Sequence, residues 1–216
     1  MRAVGLLALG IAALVALCVP SAAAAQNPSA LVLEKSGATT PEVQPYSEIA
    51  VGATLSLASG TKLVFLHYQT CRTVTLVGGS VTFGGLAYTA AGGARPQEAR
   101  TPCPPTVRLK GQGEVAGVVM RSISPTVKLS ISPSFVLVGE RANDFTAMAV
   151  SRDGTTLIEA PLAGRGFRWP ASAAPLVVNT NYELLLIPKA ADKGRVTVKF
   201  RTEGPAEDQL TLISVD

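Results

Sequence analysis

The chain has 216 residues, 47% of them hydrophobic and only 16% charged, with a formal net charge of +4, one histidine and three cysteines. So apolar a chain with so modest a charge is not an intrinsically disordered one, and the charge is too small to argue for nucleic acid. A single imidazole leaves little scope for the nucleophilic triads and zinc sites that are built on histidine.

The first element is the apolar run Gly5 to Val19, preceded by Arg2, broken by Pro20 and Ser21, and followed by Ala22 to Ala25. A charged start, an apolar centre and small residues at the end form the pattern of a helical secretory signal peptide. Ala23 and Ala25 place cleavage after Ala25, and the run is shorter than the ~20 residues that span a bilayer. The expected product is periplasmic or secreted, without stable membrane insertion. Cys18 leaves with the signal, because Leu17 before it and Val19-Pro20 after it do not form a lipid-attachment pattern.

Strands follow. Ala30 to Leu33 opens a short one; Ala53 to Leu57 alternates with period two; Ser59-Gly60 marks a turn; Lys62 to Tyr68 reads as a strand buried on both faces. Thr73 to Val77, a turn at Gly78-Gly79 and Ser80 to Phe83 come next, then a Gly/Ala/Arg-rich loop from Ala90 to Thr101, Val107 to Leu109, and Glu114 to Met120. Arg121 to Pro125 reads as a seam. Beyond it lie Val127 to Ile131, Phe135 to Val138, Phe145 to Ser151, Thr155 to Ile158, Tyr182 to Ile187, Arg195 to Phe200 and Leu210 to Val215. Asp153-Gly154 is the strongest hairpin signal in the chain. Trp169, ahead of Pro170, is expected to plug the core from a connecting segment; the alternative is an exposed stacking role.

No stretch beyond the signal keeps a 3.6-residue period over the length of an ordinary helix, and strands at this spacing indicate an all-β fold. The expected organisation is a signal peptide over residues 1–25 and two sandwich- or barrel-like modules over 26–122 and 126–216.

Two cysteines remain after cleavage. Cys71 and Cys103, in an exported chain, read first as a disulfide closing a loop of about 32 residues. Free or redox-active thiols are one alternative, and a metal site from His67, Cys71 and Cys103 is another. Neither a Cys-x-x-Cys nor a His-x-x-x-His spacing supports the metal, and His67 reads as a half-buried strand residue. Arg95, Arg100 and Arg108, with Arg121, are candidates for an anionic ligand, as are Arg165 and Arg168 in the second half; solubility is the plainer reading of loop arginines.

Ser47 to Phe83, with Gly52-Ala53-Thr54-Leu55-Ser56-Leu57, Ser59-Gly60-Thr61-Lys62-Leu63 and the return Gly78-Gly79-Ser80-Val81, resembles the periplasmic β-domain of FecR-type proteins. The resemblance extends over roughly residues 31–120. The second half, through Asp153-Gly154-Thr155-Thr156-Leu157, Phe167-Arg168-Trp169-Pro170 and Leu176 to Leu184, looks like a fibronectin-type or immunoglobulin-like module. Such modules are usually spacers or binding platforms, and neither resemblance transfers a catalytic residue.

No Gly-x-Ser-x-Gly elbow, dinucleotide fingerprint or phosphate-binding loop occurs. Carboxylates for a glycosidase would come from Glu42 and Glu48, or from Glu203, Glu207 and Asp208, which read as solvated surface. The expectation is a non-enzymatic envelope protein without cofactor or metal. It acts as an adaptor or recognition module for another envelope protein or surface polymer, presenting the Ala90–Pro105 segment. The alternative is a periplasmic small-ligand or metal-binding protein using His67 and nearby Arg and Cys residues.

Overall fold

The computed structural model describes residues 27–109, 127–204 and 210–215. The signal peptide, the Glu114–Met120 strand, the Arg121–Pro125 seam, and Glu207 and Asp208 lie outside the described residues. The fold is all-β. Among the described residues, the only helical element is a short 3-10 turn at Glu140–Asp144, and no helix is long and apolar enough to cross a membrane.

The first sheet contains β1 (Pro28–Ser36), β2 (Thr39–Thr40), β3 (Glu48–Ala50), β4 (Thr54–His67), β5 (Arg72–Phe83), β6 (Tyr88–Ala91) and β7 (Gln97–Arg100). Its order is β3-β1-β4-β5-β6, with β2 also on β4 and β7 also on β5. Ser59-Gly60 and Gly78-Gly79, expected as turns, instead lie inside the two long strands. β4 and β5 pair from Thr54↔Thr82 to Leu57↔Gly79, and again from Lys62↔Val77 to His67↔Arg72, with a register shift between. Glycines with positive φ at Gly60 (76°), Gly78 (64°) and Gly79 (77°) let both strands bend there without ending. The bent hairpin curls over a core that includes Val32, Leu55, Leu63, Phe65, Val74, Leu76, Val81 and Phe83. Phe65 meets Phe83 and Tyr88 edge-on at 4.9 and 5.2 Å between ring centroids. The Ala90–Thr101 segment is likewise not all loop: β6 ends in it and β7 lies within it, paired with Arg72–Thr75.

The second sheet takes β8 (Thr106–Leu109), β10 (Ser134–Val138), β13 (Gly166–Phe167) and β16 (Leu210–Val215); the third takes β9 (Val127–Ser130), β11 (Phe145–Arg152), β12 (Thr155–Pro161), β14 (Asn181–Pro188) and β15 (Val196–Glu203). Their orders are β13-β10-β16-β8 and β12-β11-β14-β15-β9. β8, read with the first half in sequence, runs parallel to β16 near the end of the chain. Asp153 and Gly154, at φ 52° and 78°, close the two-residue β11–β12 hairpin as expected.

Period-two alternation decides what each strand touches. Phe135, Leu137, Ile213 and Val215 on the second sheet meet Met148, Val150, Leu184, Leu186, Val198 and Phe200 on the third in one core. Trp169 joins that core from the segment after β13, edge-on to Phe167, as expected. The other face of the second sheet is buried too. Val136, Val138 and Leu212 pack against Leu31 and Leu66 on the outside of the curled sheet. The two halves therefore meet through a continuous apolar seam. Burial on both faces is why Leu63 to His67, Val136 to Val138 and Thr211 to Val215 read as unbroken buried runs.

Candidate functional site

A cleft of about 820 Å³ opens where the curled sheet stops covering the second sheet. Register builds its floor. Leu212 stands opposite Thr106, and Ser214 opposite both Arg108 and Val138, so these side chains share the face that the apolar seam uses. Glu48, Ala50 and Tyr68 of the first half form the facing wall. Arg165, just ahead of β13, completes it: its carbonyl accepts the Leu137 N–H at 2.9 Å and its Nε donates to Asn143 Oδ1 at 2.7 Å.

One end of the cleft is fastened covalently. Cys71, in the β4–β5 turn, and Cys103 form the disulfide, with Cα atoms 5.0 Å apart. The proline-flanked segment around Cys103 is tied in both directions. The Thr101 N–H donates to the Cys71 carbonyl at 3.1 Å, and the Leu212 N–H donates to the Pro105 carbonyl at 2.9 Å. The same few residues thus join the hairpin tip of one half to a central strand of the other.

Glu48 bridges the halves as well. It accepts the Tyr68 hydroxyl at 3.1 Å and the Gly139 N–H at 3.4 Å. Burial, and then the Glu48 carboxylate beside it, push the Tyr68 hydroxyl far above the usual phenol range, with Arg165 opposing. Tyr68 therefore remains a hydrogen-bond donor at any physiological pH. Arg108 and Arg165 make no ion pair among the described residues.

The other candidates lie elsewhere. Arg95 is exposed between β6 and β7, and Arg100 is exposed at the end of β7, opposite Arg72. His67 is fully buried rather than half-buried, at 0% exposure; its Nδ1 bonds the Thr70 hydroxyl at 3.0 Å, and among the described residues its Nε2 has no hydrogen-bond partner. Burial lowers its pKa from the ordinary 6.5, and the Gly84 carbonyl opposes that in part. A smaller depression of about 410 Å³ has Thr70, Arg72, Tyr88 and Glu98 in its lining. There the Glu98 carboxylate is already taken by Arg72 and the Tyr88 hydroxyl. Of the four residues expected to bind, only Arg108 faces the large cleft. Tyr68 and Gly139, which build it, carry no sequence signal, since each matters only through a contact across the seam.

Of the carboxylates considered for glycoside cleavage, the three that are described, Glu42, Glu48 and Glu203, are already engaged. Glu42 pairs with Lys35, whose hydrogen bond holds its carboxyl below the usual range, the wrong direction for a general acid. Glu203 pairs with Lys128. Among the described residues, no group of three or more His, Cys, Asp or Glu is placed to hold a metal. No family model, curated protein or solved structure matches the chain.

Proposed function

We propose that this chain is an exported, non-enzymatic recognition or adaptor protein that binds part of another envelope component in the cleft between its two β-modules. The observation that carries the reading is that the cleft has walls from both halves, held by a cross-half Glu48 bridge and by the disulfide. A surface built this way is rigid before binding, which lowers the entropic cost of association. The Gly5–Val19 run and the loose likeness of the first half to the FecR-type β-domain support an envelope location.

The immunoglobulin-like reading of the second half gains support from Tyr182. It is buried at the start of β14, and its hydroxyl accepts the Val177 N–H at 2.9 Å, a corner of the kind found in such sandwiches. The alternative, a small ligand or metal held by His67 with Cys71 and Cys103, has less behind it. That imidazole is enclosed and those sulfurs are bonded to each other.

The test is site-specific photocrosslinking in the native host. A crosslinker at Thr106 or Ala50, both lining the cleft, is expected to give the same discrete adduct, absent when it sits at Asp153 on the β11–β12 hairpin. Equal labelling from all three positions, or none from any, would overturn the reading. So would turnover of a glycan or peptide by the purified protein.

A further inference from the structure

One corner of the first sheet, where the described chain begins, is built unlike the rest of the surface. Leu86, in the β5–β6 connection, is 77% exposed, more than any other large hydrophobic side chain among the described residues. Val51, in the β3–β4 connection, is 38% exposed. The two connections are adjacent, since a β-carbon on Gly85 would stand 4.0 Å from Val51 Cγ1. Asn27 lies against them, its carbonyl accepting the Val51 N–H at 3.2 Å.

Charge is absent from this corner. Residues 27–33, 49–61 and 73–94, which form it and its flanks, include no Asp, Glu, Lys or Arg. In the depression beyond Ala87, Arg72 and Glu98 pair with each other. The other exposed aliphatic side chains stand among charges: Val77 is opposite Lys62, Leu157 is two residues from Glu159, and Val177 adjoins Thr202, between Arg201 and Glu203. Backbone groups at the corner are also taken up inside the molecule. The Gly52 N–H donates to the Phe83 carbonyl at 2.7 Å, the Gly84 N–H to the Ala87 carbonyl at 2.8 Å, and the Ser29 hydroxyl to the Gly84 carbonyl at 2.6 Å. A surface that enters lipid must satisfy its own backbone, whereas a free strand edge offers those groups to another chain.

The sequence ahead of Asn27 says what lies beside this corner. Residues 20–26 alone separate the apolar run Gly5 to Val19 from it, so while the signal is attached the corner stays within about 25 Å of the end of that run. The part of the fold kept nearest the membrane during export is the part that is uncharged and tipped with aliphatic side chains.

We infer that the Val51–Leu86 corner is a membrane-contact surface whose partner is the lipid bilayer itself. Leu86 and Val51 enter the boundary between headgroups and acyl chains. The contact is shallow and reversible, persists after signal cleavage and needs no spanning element. It lies outside the cleft and does not rest on what the cleft binds.

The probe is a vesicle of phosphatidylcholine, which carries no net charge, mixed with the purified exported chain. Leu86→Trp should be quenched by phosphatidylcholine brominated on its acyl chains, whereas Trp169, buried in the other core, should not be quenched in the parent chain. Leu86→Asp should lower the partition coefficient at least about tenfold, and Val51→Asp roughly threefold. Leu157→Asp should leave it unchanged, and so should high salt. The exposure of Leu86 keeps its variants from disturbing the core.

Absence of quenching at Leu86→Trp, or equal partition of Leu86→Asp and Leu157→Asp, would overturn the inference. Binding confined to anionic phosphatidylglycerol vesicles and removed by salt would do so too, because net charge would then be the cause. A dimer abolished by Leu86→Asp in sedimentation, with no vesicle binding, would assign the corner to a second copy instead.

Discussion

Gly79 makes a strict local demand on the backbone. Its φ is 77°, and a β-carbon there would lie 2.4 Å from the Ala91 carbonyl oxygen and 2.9 Å from Ala94 Cβ. Gly60 has nearly the same φ, 76°, yet nothing within 4 Å. Gly60→Ala should therefore cost only the conformational penalty, about 1–2 kcal/mol, whereas Gly79→Ala adds a backbone clash and should cost about 2–4 kcal/mol. Urea denaturation of the two variants separates strain from crowding; equal losses would mean that the β5–β6 approach is not tight.

His67 is the second demand at this scale. Burial favours its neutral form, so its folded pKa lies below the ordinary 6.5. The unfolded chain then binds the proton more readily, and stability contributed by the neutral ring is full above about pH 7 and lost as the pH falls below the unfolded value. A His67→Gln variant should lose that part of the pH dependence, which sets in as the pH falls through the ordinary 6.5. A parallel pH profile in chemical denaturation would show that the ring protonates in the folded state at no cost.

Among elements, the β4–β5 hairpin decides the first half. Sequence marks Gly60, Gly78 and Gly79 as breaks because such residues usually close turns. In the fold they allow one long hairpin to bend over itself, since pairing resumes at Lys62↔Val77 after the irregular stretch. Local sequence does not distinguish a bend from a turn; only a partner strand running past the glycine does so. Asp153-Gly154 is legible for the opposite reason, because two consecutive residues with positive φ are what a two-residue hairpin requires. Gly154→Ala is expected to cost about 1–2 kcal/mol, measured as a shift in denaturation midpoint with the slope unchanged.

The Cys71–Cys103 disulfide acts between elements. A closed loop of 32 residues accounts for roughly 3–4 kcal/mol on the chain-entropy model. Replacing both cysteines with alanine should remove about that much and weaken cleft binding as well, because Cys103 leads directly into β8. If binding were untouched, the bond would stabilise the chain without shaping the cleft.

At the scale of the whole molecule, the seam of Leu31, Leu66, Val136, Val138 and Leu212 makes the halves pack as one body. Leu66→Ala removes a side chain that is 2% exposed, with an expected cost of about 2–5 kcal/mol. A charge in the middle of the seam is a harsher probe. Val136→Asp, at a fully buried position, should split a single thermal transition into two as the halves lose their shared surface. A single transition at unchanged temperature would show that the seam carries little of the stability.

Sequence alone determined the all-β class, most strand positions and the Asp153-Gly154 hairpin, and it favoured Cys71 with Cys103 as a pair and Trp169 as a core residue over the alternatives left open. The first three rest on local chemistry, side-chain period and turn propensity, whereas the last two took the structure to decide. Tertiary structure decided the rest. That Arg108 lines a cleft while Arg95 and Arg100 do not, that Tyr68 and Gly139 converge on Glu48, and that β8 pairs with β16 all depend on contacts between residues far apart in the chain. So does the seam itself. An apolar run states that a strand is buried on both faces, but only packing chooses what covers each face, and the cleft lies where the covering ends.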